Sequence, residues 1–130
     1  MVTTDVDAVW LQAGMPHVLI ETVGRRSGKR HQVALPTWSD PDGHLIVVAS
    51  FAGAPKHPSW FFNISDAAAN PTVQCRRQSG PFVATPEVLD GDERSEIWDL
   101  LIADRAWYAD YQARADREIP LVRLRETTEP

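Results

Sequence analysis

The sequence predicts a mainly β fold of the α+β class: a small, mostly antiparallel barrel with appended helices. Three observations lead there. Strand-like runs come in neighbouring pairs joined by turns, the arrangement of antiparallel hairpins. Helical patterns fall after the third strand and before the last, with no one-for-one alternation of strand and helix. Finally, 130 residues that are 43% apolar are most simply one domain, 1–130, around one core.

The elements follow in order. Asp5–Ala13 carries Val6, Val9, Trp10 and Ala13 at helical spacing, with Thr4 or Asp5 as cap and Gly14 and Pro16 as stop. Such a helix suits one side of a barrel, and its acids disfavour a membrane-surface role. Val18–Val23 and Gln32–Trp38 read as the first hairpin. Ser39–Gly43 is a turn signal, and the nearly unbroken apolar run His44–Ser50 is a strand buried on both faces. Phe51–Pro58 is a loop with two prolines and a glycine. It leads into a short helix, Ser59–Ala69, begun by Pro58 or capped by Ser59 and ended by Asn70-Pro71. Thr72–Arg77 and Phe82–Leu89 make a second hairpin through Gln78–Pro81. Asp90–Ala103 is an amphipathic helix with Ile97, Trp98, Leu101 and Ile102 on one face. Asp92 and Glu93 lie in its first turn, where the helix dipole favours acids. Trp107–Ala115 is a further helical piece that places Tyr108 and Tyr111 on one face. Pro120 ends helix, and Leu121–Arg125 is the last strand.

Composition excludes several classes. The net charge is -5, which argues against nucleic acid as a partner. No apolar run approaches the roughly 20 residues of a membrane span, and the N-terminus does not read as a secretory signal. A single cysteine, Cys75, excludes an internal disulfide and fits a reducing, cytoplasmic compartment. Its plainest role, mid-strand, is that of a small buried hydrophobe. The histidines at 17, 31, 44 and 57 fit no metal-ligand spacing. Ser27 and Ser50 lack a nucleophile-elbow context, and no helix pairs carboxylates over an apolar pocket. A chain so short of catalytic groups favours a bound cofactor that carries the chemistry.

One stretch points to where that cofactor sits. Arg25, Arg26, Lys29 and Arg30 put four cations into six residues, between Gly24 and His31, and no acid occurs between Thr22 and Ser39. A basic loop on an acidic protein suggests a local anion site. Guanidinium forks, Ser27 and turn amides would supply the donors. The loop has neither Walker nor Rossmann glycine spacing. Taken alone it reads equally well as a solvated hairpin tip. A second constellation, Lys56-His57-Pro58-Ser59-Trp60, sets a cation and an imidazole at a helix start, followed by Phe61 and Phe62. It reads as a charged rim beside an aromatic wall, or simply as core aromatics.

Several motifs together resemble the deazaflavin-dependent nitroreductase family of actinobacteria. They are Thr22–Gly28 (TVGRRSG), Val47–Ser50 (VVAS), Gly53–Asn63 (GAPKHPSWFFN), Asn70-Pro71 and Tyr108–Pro120 (YADYQARADREIP). The resemblance implies a split β-barrel that uses coenzyme F420, an 8-hydroxy-5-deazaflavin with a phosphate and an oligoglutamate tail. It implies that Arg25, Arg26, Ser27 and Gly28 bind the phosphate and tail, with Lys29 and Arg30 reaching the glutamates. Val48, Ala49 and Ser50 would line the ring. Pro58, Ser59, Trp60, Phe61 and Asn63 would pack near ring and phosphate. Ser50, Tyr108 and Tyr111 would serve the hydride acceptor as hydrogen-bond or proton donors. His31, Pro36, Phe51 and Arg105 depart from the family's usual residues, mostly on the substrate side. The implied activity is hydride transfer from reduced deazaflavin to an electron-poor small molecule: an activated alkene, a quinone or a nitro compound. The alternative is a related barrel that binds FMN or another flat anionic ligand. Either would be a monomer or homodimer, with membrane association not indicated.

Overall fold

The computed structural model describes residues 16–49, 58–115 and 117–127. The expected helix Asp5–Ala13 and loop residues 51–57 lie outside the described residues. Seven strands form one sheet: β1 (His17–Val23), β2 (Arg30–Pro36), β3 (Trp38–Ser39), β4 (Leu45–Val48), β5 (Val73–Arg77), β6 (Gly80–Val88) and β7 (Leu121–Glu126). Their spatial order is β2-β1-β5-β6-β7-β4-β3, and each pairing is antiparallel. Helix α1 (Ser59–Ile64) falls between β4 and β5. Helices α2 (Gly91–Asp104) and α3 (Trp107–Arg114) fall between β6 and β7. The curled sheet is a split β-barrel.

Both hairpins form where the sequence puts them. β1 and β2 pair from His17↔Pro36 to Val23↔Arg30, and β5 and β6 from Val73↔Ala84 to Arg77↔Gly80. Two pairings are non-local: β5 against β1, and β7 against β6 and β4. β7 inserts between β6 and β4, with Val122 opposite both Val88 and Val47.

Alternation sorts the strands onto two apolar layers. Val18, Ile20, Val47, Val73, Cys75, Ala84, Val122 and Leu124 fill the concave side with Ile64 of α1. Ile46 and Leu121 face the other way and meet Ile97 and Leu101 of α2 and Tyr108 of α3. β4 therefore has both faces covered, as its apolar run predicts. Each fully buried aliphatic side chain contributes roughly 1.5–3 kcal/mol.

One buried charge ties the layers together. Arg123 on β7 is 5% exposed and pairs with Asp40 at 3.1 Å, Glu93 at 2.7 Å and Glu87 at 3.5 Å. Asp40 also accepts the backbone N–H groups of Asp42 and His44, each at 2.9 Å, which shapes the turn into β4.

Element ends differ from expectation for identifiable reasons. β2 begins at Arg30 because the hairpin ladder runs two residues beyond Gln32. It ends before Thr37, whose N–H donates to the Pro16 carbonyl at 2.8 Å, and Trp38–Ser39 pairs with β4 instead. α1 ends at Ile64, not Ala69. The Asp66 carboxylate accepts the N–H groups of Ala68 and Ala69, both at 3.1 Å, and so offers the backbone a turn in place of helix. Among the described residues no helix is long and apolar enough to cross a membrane, and no cluster of His, Cys, Asp and Glu could hold a metal.

Candidate functional site

A groove of about 750 Å³ lies between the β1–β2 hairpin and α1. The hairpin supplies Thr22, Gly24, Arg25, Arg26, Ser27, His31, Gln32 and Val33, while α1 and its entry supply Pro58, Ser59, Trp60 and Asn63. Its place follows from strand alternation. The concave side of β1 reads Val18, Ile20, Thr22, and their partners on β2 are Leu35, Val33 and His31. The apolar row stops at the Ile20–Val33 pair, and the Thr22–His31 pair is polar. The groove opens where the core runs out.

The loop at its mouth is a tight turn. Gly24 N–H donates to the Lys29 carbonyl at 2.7 Å, and Gly28 N–H to the Gly24 carbonyl at 3.0 Å. Gly28 lies at φ 72°, a left-handed conformation that costs other residues energy. Gly24 is needed for space: a Cβ there would stand 2.6 Å from Ser27 Oγ and 3.1 Å from His31 Nε2. Ser27 Oγ accepts Lys29 N–H at 3.1 Å. The amides of Arg26 and Ser27 make no hydrogen bond among the described residues. Successive free amides and nearby guanidinium groups make an anion-binding concavity.

Two carboxamides moor this loop to α1. Asn70, 3% exposed, accepts Val23 N–H at 2.7 Å. Its Nδ2 donates to the carbonyls of Val23 and Asn63, both at 2.8 Å. Asn63 Oδ1 accepts Arg25 N–H at 3.2 Å and Arg25 Nη1 at 2.9 Å. The Arg25 guanidinium also lies over the Phe62 ring, 5.1 Å from its centroid. Trp60 is half-buried, packs on the concave core and meets the edge of Phe61 at 6.3 Å.

Of the expected site residues, Arg25, Arg26, Ser27, Pro58, Ser59, Trp60 and Asn63 are brought together on the groove. Gly28 and Lys29 belong to the same turn without lining it. Arg30 forms an exposed ion pair with Glu21 at 2.8 Å, so one of the four loop cations has an acid partner just outside the acid-free stretch. Phe61 braces Trp60 from the core side. Val48 and Ala49 sit at the end of β4 and do not line the groove. Ala49 is fixed there, its N–H donating to the Pro120 carbonyl and its own carbonyl accepting Arg117 Nη1, each at 3.0 Å. Tyr108 and Tyr111 likewise lie elsewhere. Their rings pack at 5.9 Å in the layer under α2, and Tyr108 is 4% exposed. Burial raises the Tyr108 phenol above its ordinary pKa. Ser50, Lys56 and His57 lie outside the described residues. The six-residue α1 carries only a small dipole, so the anion-attracting groups are the loop's. Sequence reasoning missed Thr22, Gln32 and Val33 as lining and the mooring role of Asn70; the alternation of β1 and β2 carried the signal for Thr22 and Val33, but not for Gln32, which alternation puts on the opposite face of β2.

Residues 3–126 match the family model described as F420H(2)-dependent quinone reductase. The chain belongs to that family. An F420H(2)-dependent quinone reductase of Mycobacterium tuberculosis is 31% identical over 112 residues, covering 84% of this chain and 72% of the relative. The solved structure of an F420-H2 dependent reductase (FDR-A) matches with a TM-score of 0.69 at 39% identity, over 84% of this chain and 93% of that one. A second structure, described as a domain-swapped dimer, matches with a TM-score of 0.64 at 38% identity, over 84% and 79% of the two chains. As a member of the F420H(2)-dependent quinone reductase family, the chain is an oxidoreductase whose cofactor is coenzyme F420.

Proposed function

We propose that the groove between the Gly24–Lys29 turn and α1 holds coenzyme F420, and that the acceptor is a quinone. The observation that carries this reading is the continuity of one groove from Arg25 and Arg26 to Trp60. Its residues fit the group. Two guanidinium groups, the Ser27 hydroxyl and the two free amides match a phosphate and carboxylates. Val33, Pro58 and Trp60 offer an apolar wall to a flat ring. When bound, the reduced deazaflavin supplies a hydride.

The protein's part is binding and orientation. Arg26 and the amides of Arg26 and Ser27 hold the phosphate, and exposed Lys29 meets the glutamate tail. Trp60, braced by Phe61, limits how the ring can tilt. Fixing two flat partners face to face turns an encounter into a positioned reaction, the effect geometry supplies most strongly. Relatives named as quinone reductases favour a quinone over the enone and nitro acceptors that the same chemistry would serve.

The test is a fluorescence titration with coenzyme F420 and, separately, FMN. It is followed by anaerobic oxidation of the reduced coenzyme with menadione, an enone and a nitroarene. We expect micromolar binding of F420, weaker binding of FMN, and fastest turnover with menadione. Replacing both Arg25 and Arg26 with Ala should weaken F420 at least tenfold and FMN less, because FMN has no tail. Equal F420 affinity in the double variant and the parent would remove the groove assignment.

A further inference from the structure

β4 ends at a mismatch. Its ladder with β7 runs from Leu45↔Leu124 to Val48↔Leu121, and the next residues in that register are Ala49 and Pro120. Ala49 N–H makes half of this pair by donating to the Pro120 carbonyl at 3.0 Å. The returning bond cannot form, because proline has no N–H. Arg117 supplies the missing donor: its Nη1 reaches the Ala49 carbonyl at 3.0 Å. Ala49 is 0% exposed, so losing that donor would strand a buried acceptor.

The donor is itself held from two helices. Gln112 of α3 donates through Nε2 to the Arg117 carbonyl at 2.7 Å and accepts Ile119 N–H through Oε1 at 2.9 Å. Arg94 of α2, its guanidinium 4.9 Å from the centroid of the Trp98 ring, donates through Nη2 to the Ile119 carbonyl at 2.6 Å. The segment 117–120 is thus bracketed by α2 and α3, and it in turn fixes Ala49. There the chain leaves the sheet, and by Pro58 it lines the groove beside Trp60. The anion-binding turn is moored separately, through Asn63 and Asn70. Two independent anchors separate two tasks, gripping the coenzyme and aligning its ring.

We infer that Arg117 is a positioning residue for hydride transfer: it replaces the donor that Pro120 lacks, and so fixes the end of β4 from which the chain runs to the groove wall at Pro58. The inference rests on the groove being the F420 site.

Arg117→Met keeps the length of the side chain and removes its donors, while Arg117→Lys keeps one donor. For each variant and the parent, three quantities are measured: the F420 dissociation constant, kcat with menadione at saturating reduced F420, and amide exchange in peptides covering β4 and α1. A misplacement of about 1 Å can cost a positioned reaction about 100-fold. We expect Arg117→Met to lower kcat at least tenfold with F420 affinity within threefold of the parent. Exchange should quicken in β4 and not in α1. Arg117→Lys should return kcat to within threefold of the parent, a rescue and a split that a merely structural role would not give. A kcat within twofold of the parent in Arg117→Met overturns the inference and leaves the groove assignment standing. So does a Lys variant no better than the Met variant, or a tenfold loss of F420 affinity in Arg117→Met. A parent chain that binds no F420 overturns both. Should Arg117→Met fail to fold, Gln112→Leu decides by the same split, because it removes the bracket and leaves the guanidinium in place.

Discussion

Cys75 shows how far one residue's surroundings decide its chemistry. It lies on β5, 4% exposed among aliphatic side chains of the concave core. Burial pushes its thiol up to about 12, so at neutral pH there is almost no thiolate to react. Iodoacetamide at pH 8 should leave the folded protein unmodified and alkylate it in guanidinium chloride, as intact mass will show. Rapid labelling of the folded chain would contradict the packing around β5. The inert role of Cys75 was legible from its mid-strand position alone. Arg30 was not equally legible. Its partner Glu21 lies nine positions away in sequence and becomes its neighbour only through the Val23↔Arg30 register. Asn63 and Asn70 carry the same lesson. A residue type names what a side chain can donate or accept, while pairing across 38 and 47 positions assigns the partners.

At the scale of elements, patterns with a clear period were legible and patterns with a side-chain exception were not. The amphipathic face of α2 was one of the clear ones, with Ile97 and Leu101 buried as spaced. Leu101 is 0% exposed between Ile46, Leu121 and Tyr108. Leu101→Ala should lower stability by about 2–5 kcal/mol, read from the urea midpoint with an unchanged slope. It should leave F420 affinity within twofold, because α2 covers the face of the sheet opposite the groove. A comparable loss of affinity would show that the two layers are coupled. The length of α1 was the exception. Composition continues to Ala69, but Asp66 redirects the backbone after Ile64, and that competition depends on geometry that residue spacing does not carry. The expected place of Tyr108 shows the same limit. Its spacing to Tyr111 predicted a shared helical face, but not which layer of the sheet that face would cover.

For the whole molecule, charge links segments distant in the sequence. Arg125 donates through Nε to Glu87 at 2.7 Å, and that hydrogen bond holds the Glu87 carboxyl below its usual value. A depressed carboxylate contributes stability that is present above its unfolded pKa and is lost as pH falls through the folded one. Stability should therefore decline as pH drops below the ordinary carboxylate range. Glu87→Gln should flatten part of that decline, as thermal melts across an acid series will show. The pair is partly exposed, so the flattening should be small and shrink in high salt. An unchanged acid profile would assign the decline to other carboxylates. The barrel class itself was legible from paired strands. The spatial order was not, because nothing local specifies that β7 enters between β6 and β4.

That late insertion also sets a timetable. A ribosome delivers β4 long before β7, and until residue 126 has emerged the two halves of the sheet have no strand to join them. Nascent β4 and β6 must wait with open edges, the condition in which chains most readily pair with the wrong neighbour. Closure waits for β7, which zips two waiting ladders at once.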